Sequence, residues 1–109
     1  MKSIITVALT AAAVLVSAPA LANLELAKKS NCLVCHTVDK KLMGPAYRDV
    51  AKKYAGDKGA EARLFDRIKK GSTATGGEVW KLGIAMPPNA GVKDEDIKTL
   101  VKWILAGAK

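Results

Sequence analysis

The chain has 109 residues, a formal net charge of +8, and only two cysteines and one histidine. That length holds one small domain. So basic a balance often marks a nucleic-acid or anionic-membrane binder, but no basic stripe interleaved with aromatics runs through it.

In chain order, Met1-Lys2-Ser3 is a short basic start, residues 4–16 are mostly apolar, and Ala20-Leu21-Ala22 is a small-x-small cleavage pattern. These features predict a secretory signal peptide over 1–22, cut before Asn23. The competing reading is an uncleaved membrane anchor. The apolar run falls short of the roughly 20 residues a span needs, and Pro19 interrupts it. Cleavage removes 22 of 109 residues and leaves a mature domain over 23–109. Losing Lys2 lowers the net charge from +8 to +7. Five aromatics remain: Tyr47, Tyr54, Phe65, Trp80 and Trp103. A core that small calls for a staple.

A first short helix is predicted from about Leu24 into the turn at Cys32. There Cys32-Leu33-Val34-Cys35-His36 has the spacing of c-type haem attachment. Two thiols can add across the two vinyl groups of the porphyrin, and the adjacent imidazole can then face the iron. Three other chemistries compete. A thioredoxin-like redox pair needs a βαβ context, and helix precedes Cys32. Tetrahedral zinc wants four ligands where these residues offer three. A disulfide between Cys32 and Cys35 suits an oxidising compartment but leaves His36 without a role. The in-register histidine favours one covalent haem c, whose large apolar body also supplies the missing staple; without it the chain is expected to fold poorly.

Tyr47, Val50, Ala51 and Tyr54 share one helical face, closed by Gly56. Ala60, Leu64 and Ile68, with Phe65 beside them, predict a third helix that stops at Gly71. An irregular stretch rich in Gly, Ser and Thr then runs from 71 to 86, long enough in so small a domain to suggest a functional loop. Ile97, Leu100, Val101, Ile104 and Leu105 form the last stripe, with Asp94, Glu95 and Asp96 in its first turn and Lys102 near its end, as the helix dipole favours. No strand, internal repeat or domain linker is predicted.

The sixth position on a haem iron falls to a thioether, Met43 or Met86. Met86-Pro87-Pro88-Asn89 is a stiff loop, because each proline fixes its own φ and restricts the residue before it. Met86 also lies 50 positions beyond His36, enough chain to wrap a ring, whereas Met43 lies only seven beyond. Met86 is therefore the expected partner of His36. Such a pair closes both axial positions, raises the reduction potential and suits electron transfer. A lone methionine as core filler is the bland alternative.

Taken together and in this order, the Cys32 to His36 motif, Met43-Gly44-Pro45-Ala46-Tyr47, Arg67-Ile68-Lys69-Lys70-Gly71, Trp80, Met86-Pro87-Pro88-Asn89 and Lys102-Trp103-Ile104-Leu105 resemble the short bacterial class I cytochromes c. Within that family they look like the soluble carriers that donate electrons to dissimilatory nitrite reductase and terminal oxidases. The resemblance implies an all-α, small cytochrome c fold of four to five helices wrapped around one covalent haem. It implies Cys32 and Cys35 as thioether cysteines, with His36 and Met86 as axial ligands. It further implies that the Pro45 carbonyl accepts the proximal imidazole N–H, that Asn89 braces the ligand methionine, and that Arg67 and Trp80 bond a haem propionate. One departure is that residues 71–79 form a longer loop than usual, and Trp80 is followed by Lys81-Leu82-Gly83 instead of glycine directly.

The function expected is a diffusible periplasmic one-electron carrier, not an enzyme, and a monomer. Its partners would be periplasmic or membrane redox proteins with acidic docking surfaces, such as a reductase or oxidase and a cytochrome bc1-type donor, with no nucleic acid among them. Lysines including Lys28, Lys40, Lys41, Lys53 and Lys81 are spread widely enough to ring a haem edge. A haem enzyme or ligand sensor would need polar distal groups, and no second histidine exists. A tethered haem subunit would need residues 1–22 to remain as an anchor.

Overall fold

A computed structural model describes residues 19–75 and 79–109, with side chains described from residue 23 onward. The expected leader over 1–22 therefore lies outside the described residues, except for the backbone of 19–22, as do residues 76–78 of the long loop. Among the described residues there are four α-helices, α1 (Pro19–Lys29), α2 (Tyr47–Lys53), α3 (Ala60–Lys70) and α4 (Asp94–Leu105), a 3-10 turn over Cys32–Val34, and no strand. The all-α expectation holds.

The C-terminal helix organises the fold, for α1, α2 and α3 each pack against α4. Leu100, Trp103 and Ile104 meet Ala27 of α1 and Tyr47 and Val50 of α2, while Ile97 and Val101 meet Ile68 of α3. The predicted stripe thus faces the core, and Trp103, outside that stripe, joins it at 4% exposure. Each such side chain taken fully out of water contributes about 1.5–3 kcal/mol. Acidic residues in the first turn of α4 and Lys102 in the last agree with its dipole. Its end is closed by a left-handed Gly107 at φ 96°, with the Gly107 N–H donating to Ile104 O and the Ala108 N–H to Trp103 O, both at 2.9 Å. This doubly bonded closure satisfies carbonyls that a helix end otherwise orphans.

Three boundaries differ from expectation. α1 begins at Pro19, upstream of the expected start near Leu24. α2 ends at Lys53, and Tyr54 leaves helical geometry while its N–H still donates to Val50 O at 3.1 Å, so its ring stays packed on the core. The helix before Cys32 ends at Lys29, after which Asn31 turns left-handed at φ 63° and the 3-10 turn begins.

Truncating Ile97, which is fully buried, should cost about 2–5 kcal/mol as Ile97→Ala. Urea unfolding of the haem-loaded protein measures this. A loss under about 0.5 kcal/mol, the size typical of a surface substitution, would mean α4 is not the packing centre.

Candidate functional site

The 3-10 turn brings Cys32, Cys35 and His36 together: the N–H groups of Cys35 and His36 both donate to Cys32 O, at 3.2 and 2.9 Å. The chain then doubles back. Gly44 N–H donates to Cys35 O at 2.7 Å and Tyr47 N–H to Thr37 O at 2.9 Å, which lays the segment 44–47 across the imidazole.

His36 is held on several sides. Its Nδ1–H donates to Pro45 O at 2.8 Å, since a carbonyl can only accept. Tyr47 stacks on the ring at 5.0 Å between centroids and 21° between planes, and Trp103 meets Tyr47 edge-on at 5.5 Å. Gly44 lies so close that a Cβ there would stand 2.5 Å from Cε1 and 2.8 Å from Nδ1. Burial pushes the His36 pKa below its ordinary value, with the Pro45 carbonyl opposing more weakly. Burial thus favours the uncharged ring, and with Nδ1–H committed to Pro45 O the nitrogen left to ligate is Nε2. Burial raises the Cys32 thiol pKa against a weaker lowering by its hydrogen bond with Tyr47. Neither cysteine is in a disulfide.

Both thiols and His36 open onto one cavity of about 1070 Å³, its open mouth included, and Met86, Arg67 and Trp80 line it too. Leu64 and Ile68 of α3 and Leu100 and Ile104 of α4 make it largely apolar.

A family model described as cytochrome c matches residues 24–108. The chain belongs to the cytochrome c family. It is 50% identical over 93 residues to cytochrome c-551 of Allochromatium vinosum, covering 85% of this chain and 94% of that one. Its fold is similar to the crystal structure of Nitrosomonas europaea cytochrome c552, with a TM-score of 0.69 at 47% identity over 76% of this chain and 96% of the other. It is also similar to the class 1 cytochrome MtoD of Sideroxydans lithotrophicus ES-1, with a TM-score of 0.64 at 34% identity over 81% and 95%. This is a small class I c-type cytochrome that binds one covalent haem c and carries electrons; it is not an enzyme.

The residues of this cytochrome fit the group. A largely apolar cavity receives two thiols, an imidazole whose Nδ1–H is already committed to Pro45 O, and a thioether. Of the eight site residues expected from sequence, Cys32, Cys35, His36, Pro45, Arg67, Trp80 and Met86 line the cavity. Asn89 stands behind it: its side-chain Nδ2 donates to Ile68 O and Pro87 O, both at 3.2 Å, so it braces the loop through backbone carbonyls. Trp80 also carries the Lys53 ammonium 5.5 Å from its ring centroid.

Three contributors were not singled out from sequence. Gly44 and Tyr47 had been quoted only as part of a motif or a helix face, and their roles against the imidazole arise from chain reversal. Ser72 is 4% exposed, and its Oγ accepts from Met86 N–H at 2.8 Å while its own N–H donates to Met86 O at 3.0 Å. Its only sequence signal was a place just after the helix-stopping Gly71.

The close approach at Gly44 has a measurable consequence. Gly44→Ala should tilt the imidazole and lengthen the bond to Pro45, so the His36 Nδ1–H proton resonance of the reduced haem-loaded cytochrome should shift and exchange faster with solvent. An unchanged resonance would contradict this packing.

Proposed function

We propose that this cytochrome is a periplasmic one-electron carrier whose haem is bonded through Cys32 and Cys35 and ligated by His36 and Met86. The observation that carries the reading is His36 itself: Nδ1–H is committed to Pro45 O, so Nε2 is the nitrogen that faces the cavity shared with both thiols and Met86. When bound, the haem supplies the one-electron couple. The chain's part is to hold two axial ligands still, exclude water and present one edge to partners. Stiff ligands make the change in charge cheap in reorganisation, and a thioether opposite an imidazole raises the potential.

The remaining roles follow. Arg67 and Trp80, both lining the cavity, are placed to bond a haem propionate, and Asn89 braces the Met86 loop. Residues 1–22 act as an export leader removed after Ala22, which leaves 23–109 as the mature domain, in keeping with the family match from residue 24. No helix among the described residues is long and apolar enough to cross a membrane. The mature protein works as a monomer. Its lysines steer it to acidic docking surfaces on periplasmic or membrane redox proteins, a cytochrome bc1-type donor on one side and a reductase or oxidase on the other. Weak encounters of small area permit the fast release that turnover needs.

The ferric protein, expressed with export and haem attachment, should show the weak charge-transfer band of iron–methionine bonding, and Met86→Ala should abolish it. A band that survives in the variant removes Met86 as ligand. Mass spectrometry of the exported protein should give residues 23–109 plus one haem; retention of residues 1–22 would favour a tethered subunit. Electron-transfer rates to an acidic partner should fall steeply as salt rises, since the Debye length is about 10 Å at 0.1 M. A flat profile would count against lysine steering.

A further inference from the structure

We propose that Ser72 is a positioning residue for the sixth ligand, holding the Met86 backbone so that its thioether stays on the iron. This rests on Met86 being that ligand.

The two residues are 14 positions apart yet bonded in both directions. Ser72 N–H donates to Met86 O at 3.0 Å, and Met86 N–H donates to Ser72 Oγ at 2.8 Å. A serine that merely ended α3 would bond within its own turn, as Thr75 does when its Oγ1 donates to Gly71 O at 2.8 Å. Among the described residues Ser72 is the polar side chain that is buried, and a buried hydroxyl is costly unless bonded. Its partner is the backbone of the proposed ligand. Next to it, Gly71 has φ 81° and no side chain, which lets the other segment come close: a Cβ there would lie 2.7 Å from Met86 O and 2.9 Å from Pro88 N.

The rest of the segment is strapped to α3 independently. Asn89 N–H donates to Ile68 O at 2.9 Å, and Lys69 Nζ reaches Val92 O at 3.1 Å and Asp94 Oδ1 at 2.8 Å. Those bonds fix residues 89–94. Pro87 and Pro88 have no N–H to offer. Upstream of the prolines, the bonds holding the ligand residue's own backbone are therefore the pair to Ser72. With them in place, the thioether can leave the iron only by side-chain rotation. With the hydroxyl removed, the Met86 peptide is also free to swing on one remaining bond.

Imidazole titration of the ferric haem-loaded protein, followed by loss of the iron–methionine band, measures how readily the thioether is displaced. Ser72→Ala should bind imidazole about fivefold more tightly than wild type, which corresponds to one net hydrogen bond of about 1 kcal/mol at 1.4 kcal/mol per tenfold. Ser72→Thr, which keeps the hydroxyl, should stay within about twofold of wild type. Leu26→Ala, a truncation against the other core cluster that neither lines the cavity nor packs on Met86, should weaken global stability and leave imidazole affinity unchanged. Wild-type affinity in Ser72→Ala, an equally raised affinity in Ser72→Thr, or a Leu26→Ala rise matching that of Ser72→Ala would each overturn the proposal. The ligand reading is tested apart: if Met86→Ala keeps the band, both fall, whereas if it loses the band and Ser72→Ala behaves as wild type, only the role of Ser72 falls.

Discussion

The His36 Nδ1–H donates to the Pro45 carbonyl at 2.8 Å, and most of the surrounding architecture keeps that bond in place. The bond selects the tautomer, so Nε2 is the nitrogen left for a metal. It exists because the chain reverses directly after the cysteine turn, and the reversal is pinned by Gly44 N–H on Cys35 O and Tyr47 N–H on Thr37 O. Tyr47 then stacks on the imidazole while sitting in the first turn of α2, and Trp103 of α4 supports Tyr47 from its edge. One ring is thus tied through two aromatics to the helix that organises the core. Any shift of α4 would be felt at the imidazole.

The other side of the cavity is built by different means. The Met86 loop is docked on the C-terminal end of α3 by backbone and short side-chain bonds from Ile68, Lys69 and Ser72. The two axial candidates are consequently held unequally. His36 belongs to the same continuous core as α1, α2 and α4, whereas Met86 packs with the smaller cluster around Ile68, Ile97 and Val101. Local opening is easier where fewer apolar contacts must break, so the Met86 segment is the more easily opened of the two. A carrier tolerates this because electron transfer requires neither ligand to leave.

The cavity also explains how so short a chain is stable. Leu64, Ile68, Leu100 and Ile104 line it. Tightly packed interiors lose dispersion contacts wherever a wall has no neighbour, so a covalently bonded apolar disc completes the core as well as the redox site. Around its mouth stand exposed apolar side chains, Leu42, Met43 and Ile84, with Lys41 and Lys81 beside them. That mixture suits brief encounters: charges orient the approach, and a small apolar contact supports it without slowing release.

Much of this was legible in the residues themselves. Helix faces follow from apolar spacing, and the stripe from Ile97 to Ile104 packs inward as its period requires. The attachment chemistry is legible because two thiols and an imidazole must occupy one turn, which makes their spacing local. The prolines after Met86 likewise announce a stiff loop. What depends on distant segments meeting was not legible. No local pattern says that Gly44 must lack a side chain because an imidazole lies against it, that Trp103 supports Tyr47, or that Asn89 bonds backbone instead of sulfur. Nor does any periodicity reveal that Ser72 and Met86 bond each other across 14 positions. By itself the sequence determined the family and the helices, which rest on patterns of neighbours along the chain. Tertiary structure alone decided how firmly each ligand is held, because that depends on which surfaces α3 and α4 bring together.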